Sequence, residues 1–206
     1  RGYLAILKKI CRIAYKEGHS EKYHFCHFKL PKQKESTPRA LSRENFEKLR
    51  DLEIPEKRRS HIITKDLFLF ACYTGTAYAD AVSITRENLF TDDGGSLWLK
   101  YRRKKTDYLG RVKLLPEAVA LIEKYRDDTR ETLFPPQDYH TLRGNMKALR
   151  LMAGLSQDLV YHMGRHSFAS LVTFEEGVPI ETISKMLGHS NVRTTQIYAR
   201  APRMVA

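Results

Sequence analysis

The sequence has few cysteines and no long apolar run. Its 206 residues include only three cysteines, Cys11, Cys26 and Cys72, with no Cys-x-x-Cys pair, so the pattern predicts reduced thiols and neither a disulfide framework nor a zinc site. The longest apolar run, residues 67–73, is far shorter than the roughly 18 apolar residues that a membrane span needs. The N-terminus has no signal-peptide pattern. We therefore expect a cytoplasmic protein with no membrane association.

Acidic residues are also scarce relative to basic ones. Thirty-six Lys and Arg face 24 Asp and Glu, which leaves a formal net charge of +12. Such an excess predicts attraction to polyanions, nucleic acid first and anionic membranes second. Because 42% of the residues are hydrophobic, the chain can bury a core, and disorder is excluded as the main state.

The N-terminal part is set apart by its pattern. Residues 3–17 place apolar side chains on one helical face, and Gly18 is a natural stop. The following stretch to residue 39 is rich in lysine, carries two prolines and has little periodicity. The chain also begins without Met, and we interpret it as a piece of a longer protein. We expect 1–30 to be the last helix and tail of a preceding domain, 31–40 a linker, and 41–206 the main domain.

The main domain is helical apart from one β passage. Ser42 is typical of a helix N-cap, and an apolar helix is expected from Thr64 or Lys65 to the Thr74-Gly75 pair. The other expected elements are a short helix at about 78–83, antiparallel strands at 97–101 and 111–114, a helix from Pro116 to about 126, helices from Tyr139 onward with stops at Gly154 and Gly177, and a helix from Pro179 to Gly188. The predicted fold class is mainly α with a small antiparallel β-sheet (α+β).

The C-terminal third carries polar residues at suggestive spacing. His162 and Arg165 are three apart, so they share a helical face, and the positive end of that helix suits a phosphate. His189 follows a helix end marked by Gly188, where its side chain can point into a site. Tyr198 comes nine residues later. Each residue alone is typical of a surface or core position, but together they form a pattern with a low chance rate.

This compound pattern is H-x-x-R-H, then L-G-H, then T-T-x-x-Y, and it resembles the catalytic domain of tyrosine recombinases, the phage-type integrases. It is most similar to those of Bacteroides-type mobile elements. The resemblance runs from about Thr37 to the C-terminus, and the helix at 3–17 resembles the last helix of the family's core-binding domain. It implies cutting and rejoining of duplex DNA through a 3′-phosphotyrosyl intermediate without metal, ATP or other cofactor. It also implies a homotetramer on DNA, a monomer off it, and a bacterial, nucleoid-associated location.

The resemblance implies a role for each motif residue. Tyr198 is the expected nucleophile, Arg165 the phosphate clamp, and His162 and His189 the proton-transfer and hydrogen-bonding pair. These residue types suit the chemistry, because attack on a phosphodiester adds negative charge that guanidinium and imidazole donors stabilise. A departing 5′-alkoxide needs a proton, which a lysine can supply. Lys105 in the K-K-T-D segment matches the family's general-acid lysine.

Two features of the basic segment stay open. Lys104 is the rival of its neighbour for the general-acid role. The family's first catalytic arginine lies in a T-G-x-R-x-x-[ED] segment, whereas the segment here is T-G-T-A-Y-A-D, with Ala77 at the arginine position and Asp80 at the acidic one. Residues two apart on a strand point to the same face, so the side chains of Arg103 and Lys105 lie on one side. We therefore expect Arg103 to replace the missing arginine. Arg86 and Arg102 are further candidates for this replacement.

Two alternative functions follow from the same residues. The change at Ala77 is compatible with a non-catalytic DNA-binding regulator that kept the scaffold. A type IB topoisomerase would use similar residues, although the compact T-T-Q-I-Y-A-R ending favours the recombinase branch. The intact Tyr198, Arg165 and histidines favour an enzyme over a regulator, because a decayed site loses its nucleophile as easily as its arginine.

Overall fold

The computed structural model describes residues 2–30, 40–170, 177–188, 192 and 195–196. The chain divides into two compact units, residues 1–36 and 37–206. In the first unit, helix α1 (Gly2–Lys16) ends before Gly18, whose φ of 78° is the left-handed conformation that glycine adopts at helix ends. None of its residues is buried, and Tyr3 is 90% exposed. The origin of residues 1–30 in a preceding domain stays a prediction.

The second unit is mainly helical with one small antiparallel sheet, which confirms the predicted fold class. Its elements, in chain order, are α2 (Arg43–Arg50), α3 (Arg59–Thr74), α4 (Tyr78–Ala81), β1 (Leu89–Thr91), β2 (Leu97–Arg102), β3 (Leu109–Lys113), α5 (Pro116–Lys124), α6 (Tyr139–Met152), α7 (His162–Ser167) and α8 (Ile180–Met186). Short 3₁₀ turns cover 56–58 and 86–88.

Helix α3 is the centre of this unit. Its residues from 66 to 74 are all buried, because α5, α6 and α7 pack around it. A helix that is apolar on every side is typical of such a central position. It begins at Arg59, five or six residues before the predicted start at Thr64 or Lys65, because its first turn is polar and carries no part of the apolar pattern.

Local sequence signals act as expected at several ends of these elements. The Ser42 hydroxyl accepts the backbone N–H of Asn45 at 3.2 Å, which caps α2. Pro116 is the first residue of α5, where its missing N–H has no intrahelical partner to lose. Gly75 follows α3 with φ of 70°, and Gly188 follows α8 with φ of 59°.

The sheet has the order β1-β2-β3, and both strand pairs are antiparallel. Strand β1 was absent from the prediction, because its three residues are too few to show an alternation. In β2 and β3, Leu99, Tyr101 and Val112 are buried, while the residues between them are exposed. Val112 packs with Phe168 and residues of α8, so the sheet and α8 share a small apolar cluster next to the main core.

Candidate active site

Arg165 is the fixed point of the site. It lies in α7, is only 1% exposed, and donates from Nη1 to the carbonyl of Gly75 and from Nη2 to the carbonyl of Leu187. These carbonyls belong to the ends of α3 and α8, where glycines turn the chain. These two neutral carbonyl oxygens orient the guanidinium group.

Helix α7 is held against α3 by close packing. A Cβ atom on Gly164 would lie 3.0 Å from Ala71 Cβ and 3.1 Å from the carbonyl oxygen of Phe68, so only glycine fits this contact well. On the flanks of α7, Tyr161 Oη donates to the carbonyl of Leu67 at 3.1 Å, and Ser167 Oγ accepts the N–H of Leu41 at 3.0 Å. The backbone that carries Arg165 is thereby fixed on both sides.

His162 is the first residue of α7 and keeps an exposed part. Its ring meets the His166 ring edge-on, with 4.5 Å between the centroids. Partial burial, followed by the charges of Arg165, Arg103 and Lys105, lowers the pKa of His162. His162 is therefore neutral at neutral pH and can accept a proton. These three cations act on it from two different elements, α7 and the β2–β3 hairpin.

His166 was absent from the predicted site. Burial, then the charges of His162 and Arg165, lowers the pKa of His166 to about 4. The i, i+4 spacing from His162 was the available signal, because residues four apart on a helix are neighbours. The pair places two neutral imidazoles beside a permanently charged guanidinium.

The β2–β3 hairpin brings its basic residues to this site. Arg103 N–H donates to the carbonyl of Tyr108 at 2.9 Å, and the tight turn ends at Asp107, whose φ is 55°. Lys104 and Lys105 are both exposed. The backbone N–H of Lys104 donates to Asp80 Oδ1 at 3.0 Å, whereas the charge of Lys105 acts on His162. The choice of Lys105 over Lys104 as the general acid stays a prediction.

Arg103 lies within the site, and the other candidate arginines do not. Its Nη1 donates to the carbonyl of Gly188 at 3.4 Å, and its buried Nε has no hydrogen-bond partner among the described residues. Its acidic partner is the buried Asp80, 3.9 Å from Nε, whereas Arg86 pairs with the exposed Asp128 at 2.6 Å and Arg102 with the exposed Asp107 at 3.3 Å. Ala77 immediately precedes α4 and contributes no cation.

Tyr101 is a second residue that the sequence did not reveal. It is 4% exposed, and its hydroxyl has no hydrogen-bond partner of good geometry among the described residues. Its ring covers Gly110, where a Cβ atom would lie 2.9 Å from Tyr101 Cε1. Burial raises the pKa of Tyr101, while Arg165 lowers it in part, so the hydroxyl stays protonated next to the buried guanidinium.

Two predicted site residues, His189 and Tyr198, lie outside the described residues. Within the described part of the chain, no group of three His, Cys, Asp or Glu side chains could hold a metal ion. In the same part, no helix is long and apolar enough to cross a membrane.

Comparison with known proteins identifies the family. Residues 39–203 match the Phage integrase family. The chain is 25% identical to the tyrosine recombinase XerD of Listeria monocytogenes serotype 4b (strain F2365) over 98% of this chain and 71% of that protein. It is 27% identical to the tyrosine recombinase XerA of Thermococcus kodakarensis over 84% of this chain and 61% of that protein.

Among solved structures, the fold is similar to a lambda integrase (75–356) dimer bound to a COC′ core site. That likeness has a TM-score of 0.75 and 19% identity, and it covers 98% of this chain and 74% of that one. The fold is also similar to the XerH recombinase bound to difH in its post-cleavage complex, with a TM-score of 0.62 and 21% identity. That match covers 80% of this chain and 50% of the XerH chain. The fold class, the family and the enzyme class predicted from the sequence are thus confirmed: the chain belongs to the phage integrase family and carries a tyrosine recombinase catalytic domain.

Proposed function

We propose that the chain is a site-specific recombinase that cuts and rejoins duplex DNA through Tyr198. The observation that carries this proposal is that two arginines from separate elements meet the end of α8: Arg165 Nη2 donates to the carbonyl of Leu187 and Arg103 Nη1 to the carbonyl of Gly188, and their charges lower the pKa of His162. Such a cluster of fixed cations with one neutral base suits a phosphodiester whose negative charge grows during attack.

The chemistry follows from these groups. The Tyr198 oxygen attacks phosphorus, the P–O5′ bond breaks, and a 3′-phosphotyrosyl link forms. A neutral His162 or His189 accepts the phenol proton, because a phenol with an ordinary pKa near 10 is a weak nucleophile until it is deprotonated. Lys105 protonates the leaving 5′-oxygen. Attack by the 5′-hydroxyl of another strand then restores the phosphodiester and releases Tyr198, so no ATP, metal or other cofactor is consumed.

Arg103 supplies the second guanidinium in this proposal. Its Nη1 donates to the carbonyl of Gly188, and its Nε lies 3.9 Å from the carboxylate of Asp80, so the guanidinium group is held at the site from two sides. Arginine offers a planar fork of donors that matches phosphate oxygens, as a lysine does not. The chain thereby keeps two guanidinium groups although Ala77 replaces the usual one.

The partner in this proposal is duplex DNA. The formal net charge of +12 suits it, and several solved relatives of similar fold are recombinases or integrases bound to DNA. We further propose that the enzyme acts as a homotetramer on DNA and works at the bacterial nucleoid. In this proposal, residues 1–30 are the end of a core-binding domain, and the linker 31–40 joins it to the catalytic domain of 41–206. The named relatives give no support to a non-catalytic regulator.

A covalent-trapping experiment tests the function. A duplex that carries the attachment site and a nick beside the scissile bond loses its short 5′ fragment after cleavage, so the adduct accumulates and is seen on a denaturing gel. The parental chain should form the adduct, and Tyr198→Phe should bind DNA without forming it. Tyr108→Phe is the matched control, since it removes an exposed hydroxyl from the hairpin. An adduct in Tyr198→Phe would show that another residue is the nucleophile.

The topoisomerase and regulator alternatives have distinct outcomes. Exchange of strands between two labelled duplexes identifies a recombinase, whereas relaxation of supercoiled plasmid without exchange identifies a topoisomerase. A chain that binds the site with high affinity and forms no adduct is a regulator.

A further inference from the structure

The three-stranded sheet has two faces of different character. Side chains along a strand alternate between faces, so the buried Tyr101 and Val112 point to the interior, on the side of the reaction site. The opposite face is exposed and basic. We call it the outer face. Its aromatic and basic residues are Phe90, Trp98, Lys100, Arg102, Arg111 and Lys113, and Leu109 lies on it opposite Arg102.

Two cations oppose each other directly on the outer face. In the register of β2 and β3, Lys100 is the partner of Arg111. Like charges at such positions destabilise a sheet. Within the described part of the chain, neither residue forms an ion pair that would offset this repulsion. An anion from outside the chain would offset it.

The remaining charges of the outer face do not neutralise this pair. Arg102 makes an exposed ion pair with Asp107 across the turn, with 3.3 Å between the charged atoms. Lys113 lies opposite Trp98 and near Asp92, but the carboxylate of Asp92 already accepts hydrogen bonds from Trp98 Nε1 at 2.7 Å and from the Ser96 N–H at 2.8 Å.

Aromatic rings hold one of the cations in place. The Arg111 guanidinium lies over the Phe90 ring, 5.5 Å from its centroid, and the Phe90 ring stacks on Trp98 at 6.3 Å. A cation held on a ring face is partly ordered before any ligand arrives, so less conformational entropy is lost on binding. Arg111 itself stays exposed.

We propose that the outer face binds the phosphate backbone of duplex DNA outside the segment that is cut. This inference rests on the proposed function, since it assumes a DNA substrate. Because the outer face and the reaction site lie on opposite sides of β2, the DNA segment at the reaction site cannot also lie on the outer face. Protection of a sheet edge by charge does not explain the pattern, because Lys100 belongs to the central strand.

The fluorescence of one residue can report on binding at the outer face. Trp98 is its one tryptophan, it is half-buried, and it lies on the outer face. DNA that occupies the outer face should change the emission of Trp98, whereas DNA held only at the reaction site should not. Anisotropy of a fluorescently labelled duplex measures total binding in the same titration.

The variant to test is Lys100→Glu/Arg111→Glu. If each cation contacts one phosphate, the slope of log affinity against log salt should become shallower by about 2, and affinity at low salt should fall by about 10- to 100-fold. The emission change of Trp98 on DNA addition should disappear. Adduct formation on the nicked duplex at saturating enzyme should match that of the parental chain.

Lys57→Glu/Arg126→Glu is the matched control, because it changes the net charge equally at exposed residues outside the sheet. An equal loss of affinity in this control would overturn the proposal, since net charge alone would then explain the effect. A Trp98 emission that does not respond to DNA in the parental chain would overturn it as well, and so would a parental salt slope in Lys100→Glu/Arg111→Glu. If the parental chain formed no adduct while Trp98 still responded to DNA, the proposed function would fail and the outer face would stand.

Discussion

Arg103 lies beside Asp80, with its Nε 3.9 Å from Asp80 Oδ2, and the two side chains are only 11% and 3% exposed. The other carboxylate oxygen accepts the backbone N–H of Lys104. Asp80 belongs to the T-G-T-A-Y-A-D segment, in which Ala77 stands at the arginine position. It thus holds the base of the hairpin that carries Arg103. One carboxylate therefore orients both the Arg103 side chain and the turn with Lys105.

Arg103→Ala should reduce cleavage of the nicked duplex by about 100-fold or more, because a donor to the transition state is lost. Arg103→Lys should restore little, since a point charge lacks the planar fork. Ala77→Arg in the Arg103→Ala background should recover part of the rate. Arg102→Ala is the control, because its guanidinium pairs with Asp107. Parental cleavage by Arg103→Ala would exclude the replacement.

Asp80→Asn should lower cleavage while the chain remains folded. The amide oxygen can still accept from the Lys104 N–H, so the hairpin base stays held, but the negative charge beside Arg103 is gone. Single-turnover rates of Asp80→Asn, Arg103→Ala and the double variant form a double-mutant cycle. We expect the two losses to be strongly non-additive, and additive losses would show that the residues act independently.

Tyr101→Phe should lower cleavage without loss of stability. Its buried hydroxyl lacks a good partner among the described residues, so its removal leaves no donor unsatisfied and is neutral or stabilising. Arg165 nevertheless lies close enough to lower the pKa of Tyr101, so we expect loss of the hydroxyl to weaken the alignment of the guanidinium group. Urea unfolding and adduct formation measure the two effects. A destabilised variant with parental cleavage would contradict this role.

Gly164→Ala should destabilise the chain by about 1–3 kcal/mol, because the added methyl overpacks the contact between α7 and α3. Gly144→Ala on α6 is the matched control: a Cβ atom there meets nothing within 4 Å, and alanine is the better helix former, so this variant should gain about 0.5–1 kcal/mol. Urea denaturation measures both, and equal effects would contradict the packing argument.

Folding stability should fall as the pH drops from about 6.5 to 4. His166 has a folded pKa of about 4, below its ordinary 6.5, so in this window the unfolded chain binds a proton that the folded chain does not. The slope from this group is at most about 1.4 kcal/mol per pH unit, and His162, whose pKa is also lowered, adds to it.

His166→Phe should flatten this dependence, since it keeps a ring against His162 and removes the titrating group. Urea midpoints at pH 7, 6 and 5 measure it, and His140→Asn, at an exposed position of α6, is the control. An unchanged slope in His166→Phe would show that another group binds the proton.

Much of the fold, and the family, could be predicted from the sequence alone. Short-range signals are complete in a few neighbouring residues, so Ser42, Pro116 and Gly188 marked their helix ends correctly. Alternation in two strands and the compound spacing of His162, Arg165, His189 and Tyr198 were enough for the fold class and the family. The start of α3 at Arg59 and the three-residue strand β1 could not be predicted, because neither carries an apolar pattern.

Only the tertiary structure decided which residues meet. Arg86, Arg102 and Arg103 are equivalent cations in the sequence, yet two of them pair with surface aspartates, and Arg103 alone of the three lies between Asp80 and Gly188. The burial of Arg165 and of the Tyr101 hydroxyl likewise depends on residues far away along the chain. A side chain's partners and its exposure to water are set by the packing of distant elements, which no local pattern encodes.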